Sequence, residues 1–180
     1  MYKKSTLGLL ALLIGVALWL QGFTLPVQAK TKISQGAEIQ ADDKTVRGIL
    51  AAFHKAEEFL EARNLDAMMG LYSKDYNYHG LKKEDLRKIW EGLFAQHHRI
   101  STAHMFSKIA VVDGKHQTAD ITCTGTLWAT SDPAGQRVNI DSWFEEVHHM
   151  VYEDGAWRIR GNAGEAPKAL QFGIAPHPFF

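Results

Sequence analysis

The segment Trp143-Phe144-Glu145-Glu146-Val147-His148-His149-Met150 sets two carboxylates beside two imidazoles. In an extended strand side chains alternate, so Glu146 and His148 share one face while Glu145 and His149 share the other. A carboxylate that orients an imidazole forms a proton-transfer pair that works near neutral pH. The face holding Phe144, Glu146, His148, Met150 and Tyr152 is expected to turn inward, because Phe144 and Met150 read as core. The competing reading is a solvated sheet face, where such pairs have no chemical task. A second candidate is His79, which closes Tyr76-Asn77-Tyr78-His79. Alternation puts Tyr76 and Tyr78 on one side and Asn77 with His79 on the other. His79 could serve as acid or base, or it could simply bond a backbone carbonyl.

Other residue types offer less. His97, His98 and His104 do not follow a ligand spacing such as two histidines four apart on a helix, and adjacent histidines in a strand point to opposite faces. No metal and no cofactor is expected. Cys123, set among threonines on an apolar-facing position, reads as a small core residue rather than a nucleophile. Asp120 has its simplest home on the outside of a sheet. Trp90, Phe94, Trp128 and Trp143 could line an apolar pocket or fill the core.

The elements that must position these residues follow from periodicity. Val46, Ile49, Leu50, Phe53, Ala56 and Leu60 repeat at helical spacing, capped by Asp42 or Asp43. Asn64 fits both as terminator of that helix and as cap of a short second one, from Leu65 to about Ser73, with Met68, Met69 and Tyr72 inward. A short strand over Asp75–His79 comes next. A third helix then runs from about Lys82 to Gln96 with Leu86, Ile89, Trp90, Leu93 and Phe94 on its apolar face. The rest reads as strands. One spans about His104–Val112 and turns at Asp113-Gly114 into a partner over Gln117–Ala129. In that partner Ala119, Ile121, Cys123, Gly125 and Leu127 take one face. A loop over Ser131–Gly135 leads to a long strand over Arg137–Tyr152, and a turn at Asp154-Gly155 leads to a last strand over Ala156–Gly161.

The ends and the charge balance bound the function classes. Lys3 and Lys4, the apolar run Leu7–Leu20 and the small residues closing at Ala29 have the layout of a signal peptide over residues 1–29. Fourteen residues rise only about 21 Å as a helix, short of a roughly 30 Å hydrocarbon core. A periplasmic or secreted location with cleavage after Ala29 is therefore expected; the rival is an uncleaved anchor, the only link to a membrane. Cys123 is the only cysteine, which disfavours a lipoprotein and excludes an internal disulfide. Removing Lys3 and Lys4 takes the balance from 20 bases against 20 acids to 18 against 20, so no field exists to attract nucleic acid. Residues 30–41 are polar without an apolar period and read as a flexible leader. Residues 42–162 form one domain of a size that sustains its own core, and residues 163–180 form a tail containing proline and glycine.

Two segments carry a family resemblance. Asn64-Leu65-Asp66-Ala67-Met68-Met69-Gly70-Leu71-Tyr72-Ser73-Lys74-Asp75-Tyr76 and Asp154-Gly155-Ala156-Trp157-Arg158-Ile159, in this order of helices and strands, resemble the nuclear transport factor 2-like superfamily. That superfamily includes SnoaL-like and ketosteroid isomerase-like branches. The resemblance spans about Asp43 to Asn162. It implies an α+β cone in which a bent, mostly antiparallel sheet wraps about three helices, with a ligand site at the open end. It also puts the Tyr76–His79 strand at the mouth. Members include isomerases, dehydratases, cyclases, epoxide hydrolases and non-catalytic binders, so the fold alone does not fix the activity. The expectation is an exported protein that binds a small apolar or amphipathic molecule, lined by Tyr76, Tyr78, His79, Trp90, Phe94, Trp128 and His148. The alternatives are a small cofactor-independent isomerase, dehydratase or hydrolase using His79 or His148 with Glu146, and a homodimeric interaction module built on the sheet face.

Overall fold

A computed structural model describes residues 30–78, 80–112, 114, 117–131 and 135–161. Strand β1 (Thr31–Gln40) leads into α1 (Asp43–Glu61) and α2 (Leu65–Met69). A two-residue hairpin, β2 (Asn77–Tyr78) with β3 (Leu81–Lys82), precedes α3 (Lys83–Gln96). Then come β4 (Arg99–Val112), β5 (Thr118–Thr130), β6 (Arg137–Glu153) and β7 (Ala156–Ile159). The main sheet has the order β1-β4-β5-β6-β7 and is antiparallel except at the β1–β4 edge. It is open, strongly curved and packed against helices on its concave side, an α+β architecture.

Local chemistry explains the helical joints. Asp42 accepts from the Thr45 backbone N–H at 2.8 Å and caps α1, as its place before the apolar period requires. The helix ends where Arg63 takes a left-handed conformation (φ 55°), while Asn64 caps α2 by accepting from Ala67 N–H at 3.1 Å. Terminator and cap are thus two residues, where the sequence suggested Asn64 for both. The Arg63 guanidinium also donates to the carbonyls of Phe94 and His97, which ties the α1–α2 joint to the end of α3. Ile49, Phe53, Ala56 and Leu60 face the sheet and meet Phe106, Ile109, Ile121 and Met150 in one buried core.

Four expectations change. Residues 30–41 are not a flexible leader: Thr31–Gln40 pairs in parallel with β4. Its stability comes from backbone pairing along the β4 edge, with little side-chain burial, so no hydrophobic period was there to read. The register breaks between Ile33 and Glu38, around Gly36 at φ 81°. Thr31 is the exception to the shallow burial, donating to the buried Glu57 carboxylate at 2.6 Å. The Asp75–His79 strand shrinks to β2, apart from the main sheet, and the second helix stops at Met69. Strand β4 begins at Arg99, five residues before His104.

The fourth change alters the site. Cys123 pairs with Glu146 and Gly125 with Trp143, so β6 carries one extra residue between them. This is a β-bulge, with Glu145 at φ 51°. The bulge shifts the alternation by one position. Phe144, expected to point inward, is 79% exposed, while Trp143 is 3% exposed. The Glu145 carboxylate holds the bulge by accepting from Ser107 at 3.0 Å and Thr124 at 3.4 Å.

Candidate functional site

The bulge assembles an inward stripe on β6. Residues paired across an antiparallel ladder share a face. Asp141 lies opposite the buried Leu127, Trp143 opposite Gly125, Glu146 opposite Cys123 and His148 opposite Ile121. Asp141, Trp143, Glu146 and His148 therefore all belong to the concave side. His148 is 3% exposed, between the Phe53 and Trp143 rings at 6.4 and 6.2 Å. The sequence pairing of Glu146 with His148 on an inward face holds, for a reason that simple alternation did not contain.

Trp143 is the hinge of this arrangement. A side chain on Gly125 would sit 2.2 Å from the Trp143 ring and 2.6 Å from the Ala103 carbonyl oxygen, so only glycine lets the indole lie flat on β5. The indole N–H then reaches the Cys123 sulfur at 3.4 Å. On the other side of Cys123, His104 Nδ1 lies 3.7 Å from the same sulfur, and His104 Nε2 lies 2.9 Å from the Thr102 hydroxyl. Thr102 Oγ1 is also within 3.0 Å of the Thr126 carbonyl oxygen, to which it donates. With the Thr102 proton given to Thr126, His104 Nε2 carries the donor proton, while the Cys123 thiol donates to the Thr124 carbonyl oxygen at 3.4 Å. Burial pushes the Cys123 thiol up to about 12, which leaves it a neutral packing group.

The carboxyls differ. Burial, followed by the nearby Asp141 charge, raises Glu146 above the ordinary carboxylate range. Burial also raises Asp141, against a backbone N–H from Ser142 that lowers it. Both are half-buried, one on each side of Trp143 along the stripe. The result is two carboxyls with raised proton affinity, a buried imidazole and an indole on one concave surface. Such a set can donate hydrogen bonds to a polar group of a ligand or move a proton.

The other residues singled out from the sequence divide. Trp90 is fully buried and donates through Nε1 to the Tyr72 hydroxyl at 2.9 Å. Tyr76 packs edge-on to Tyr72 at 5.3 Å, and Phe94 lies 5.9 Å from Trp90 beneath the Arg63 guanidinium. Burial raises both tyrosine hydroxyls far above their ordinary range, so they stay neutral. Tyr76, Trp90 and Phe94 thus pack one aromatic interior cluster, with Tyr78 half-buried at its border. Trp128 lies apart from this cluster: it follows the inward Leu127, faces the outer side, carries Arg137 over its ring at 4.6 Å and lines a separate pocket with Arg99 and Ile100. His79 lies outside the described residues. His149 turns outward and meets Asp120 at 2.7 Å, which leaves Glu145 and His149 unpaired with each other.

Asp141, Thr102 and His104 were missed. Asp141 was legible only from the β5–β6 register, which the bulge conceals. Thr102 and His104 follow the alternation Ile100, Thr102, His104, Phe106, a signal lost by starting that strand too late. Among the described residues no group of three or more potential metal ligands converges, and no helix is long and apolar enough to cross a membrane.

Solved structures with this architecture are numerous. Aln2 from a Streptomyces species superimposes with a TM-score of 0.53 at 11% identity, covering 68% of this chain and 90% of that one. A conserved protein from Planctomyces limnophilus also gives 0.53, at 14% identity over 67% of this chain and 94% of that one. A ketosteroid isomerase-like protein from Erwinia carotovora atroseptica gives 0.47, at 14% identity over 67% and 94%. No family model matches the sequence, and no curated protein matches it. The likeness is one of fold: the chain has the nuclear transport factor 2-like α+β cone.

Proposed function

We propose that this chain is an exported binding protein that holds a small apolar or amphipathic molecule against the concave stripe of its cone. The observation that supports this most is the joint placement of Asp141, Trp143, Glu146 and His148 on one inward face. Trp143 supplies apolar contact, and the carboxyls and imidazole fix a polar group of the ligand. Native mass spectrometry of the protein as purified from its own compartment, coupled to a fragment screen read on the amide resonances of residues 141–148, tests it. A retained adduct or fragment shifts confined to the stripe, weakened by Glu146→Gln and His148→Ala, are expected. A bare chain whose stripe no fragment perturbs would sink the reading. Export is tested by the N-terminus of the mature protein, expected at Lys30.

A second reading is a small enzyme without a cofactor. It is favoured by the raised carboxyls beside a buried imidazole, the pattern by which one site holds an acid and a base at neutral pH. Once a substrate is found, His148→Ala and Glu146→Gln are expected to remove turnover while the fold persists; unchanged rates end that assignment. Self-association through the outer sheet face is a separate proposal, supported by exposed Met105, Phe144 and Val147. Light scattering across concentration decides it, and a strict monomer counts against it.

A further inference from the structure

Between one flank of α1 and the β6–β7 end of the sheet lies a groove of about 680 Å³, within the range of small-molecule sites. One wall is the stripe Lys44, Gly48, Ala51, Ala52, Lys55 and Phe59 of α1. The other walls are Ala67, Gly70 and Leu71 around the end of α2, and Tyr152, Trp157 and Arg158 of the β6–β7 hairpin. This groove is separate from the concave stripe: none of Asp141, Trp143, Glu146 or His148 lines it.

We propose that this groove is a second binding site, for a small amphipathic anion such as a medium-chain carboxylate. The shape follows from small residues. Gly48, Ala51 and Ala52 keep the helix surface low, and Gly48 does so against Trp157, whose Cδ1 would lie 3.0 Å from any added Cβ. Glycine in a helix interior is disfavoured relative to alanine. Here it leaves the indole seated beside the helix, with Leu71 and Phe59 continuing the apolar surface. The charge follows from what is already committed. Asp42, the one acid among the described lining residues, has its carboxylate turned to Thr45 at 2.8 and 3.2 Å. Arg158 donates to the Gly70 carbonyl and lies 3.5 Å from Glu153. Lys44 and Lys55 make no ion pair within 4 Å among the described residues, although Lys44 lies near enough to Asp42 to help lower that carboxyl, which leaves Lys55 as the less committed of the two cations. Eleven residues apart on α1, they stand about 16 Å apart along the axis, one toward each end of the low apolar stretch. An anionic head fits at a lysine while its apolar body lies over Trp157.

The test uses the full chain labelled with nitrogen-15 and three probes: octanoate, octylammonium and a photo-crosslinking side chain at position 51. Octanoate is expected to shift the amides of Gly48, Ala51, Ala52 and Trp157 at concentrations about tenfold lower than octylammonium, a difference of about 1.4 kcal/mol. Ala51→Trp, at an exposed helix position, is expected to abolish these shifts with the far-ultraviolet spectrum unchanged. The Lys44→Glu/Lys55→Glu pair keeps the groove open and is expected to reverse the preference to octylammonium. Equal binding of the two probes overturns the proposal, as does octanoate binding that survives Ala51→Trp or that shifts residues 141–148 instead. A crosslinker that captures residues 162–180 or a second copy of the chain, undiminished by octanoate, also overturns it.

Discussion

Glu146 shows how one buried carboxyl links stability to function. Its folded-state value is raised above the ordinary 4.5, chiefly by burial. A raised acid contributes stability that is fully present below its unfolded value and is lost as pH rises through the folded value. Glu146→Gln is therefore expected to flatten the fall in stability above pH 4.5 and to leave the variant no less stable than the parent at pH 7. Denaturant melts at pH 4 and pH 7 measure this, and a variant weaker only at pH 7 would contradict it. Thr31 presents the opposite case. It donates to Glu57, and both are buried, so Thr31→Val leaves a buried acceptor without that donor and should cost about 1–3 kcal/mol. Urea midpoints read the loss. The double variant Thr31→Val/Glu57→Leu should recover part of it, since removing both partners is cheaper than removing one.

At the scale of elements the bulge in β6 governs which side chains meet. Trp143→Ala should cost about 3–5 kcal/mol, whereas Phe144→Ala should stay within about 0.5 kcal/mol. Strict alternation forecasts the reverse ranking, so the pair of thermal melts discriminates cleanly. Gly125→Ala should cost about 1–3 kcal/mol, because its Cβ meets both the Trp143 ring and a backbone oxygen that cannot yield. The helices were legible because burial imprints a 3.6-residue period on α1 and α3, and β5 because it alternates without fault. Alternation also groups Glu146 with His148, but their inward placement rested on Phe144, which points outward across the bulge. Phe144 was misassigned because a single inserted residue changes every later phase, and nothing in Phe144-Glu145 announces the insertion. Trp128 lines a pocket, but on the outer side, because Leu127 takes the inner face of β5. Asp141 depends on cross-strand register, a tertiary property that no local pattern holds, whereas His104 follows the alternation of β4 and was lost by starting that strand too late.

At the scale of the molecule, β1 completes the sheet. Without it β4, fourteen residues long, would present an open edge. Deleting Lys30–Gln40 is expected to increase self-association above that of the intact chain, measured by light scattering at matched concentration. The Lys108–Glu38 pair at 3.1 Å and the Lys30–Glu61 pair fasten that strand at both ends, but both are solvent-exposed and contribute little beside the backbone ladder.

The same strand sets an order of events in time. Thr31 pairs with His104, so the first described strand meets its partner about seventy residues later in the chain. Closing so long a loop costs entropy before any contact repays it, and parallel pairings of this separation form slowly. The antiparallel run β4-β5-β6-β7, joined by short connections, can form early, and β1 must dock onto a sheet that already exists. Refolding should then show two phases, a fast one reporting on Trp143 and a slower one reporting on the Thr31–Glu57 contact. Among the described strands, the edge that guards the finished sheet is expected to close last.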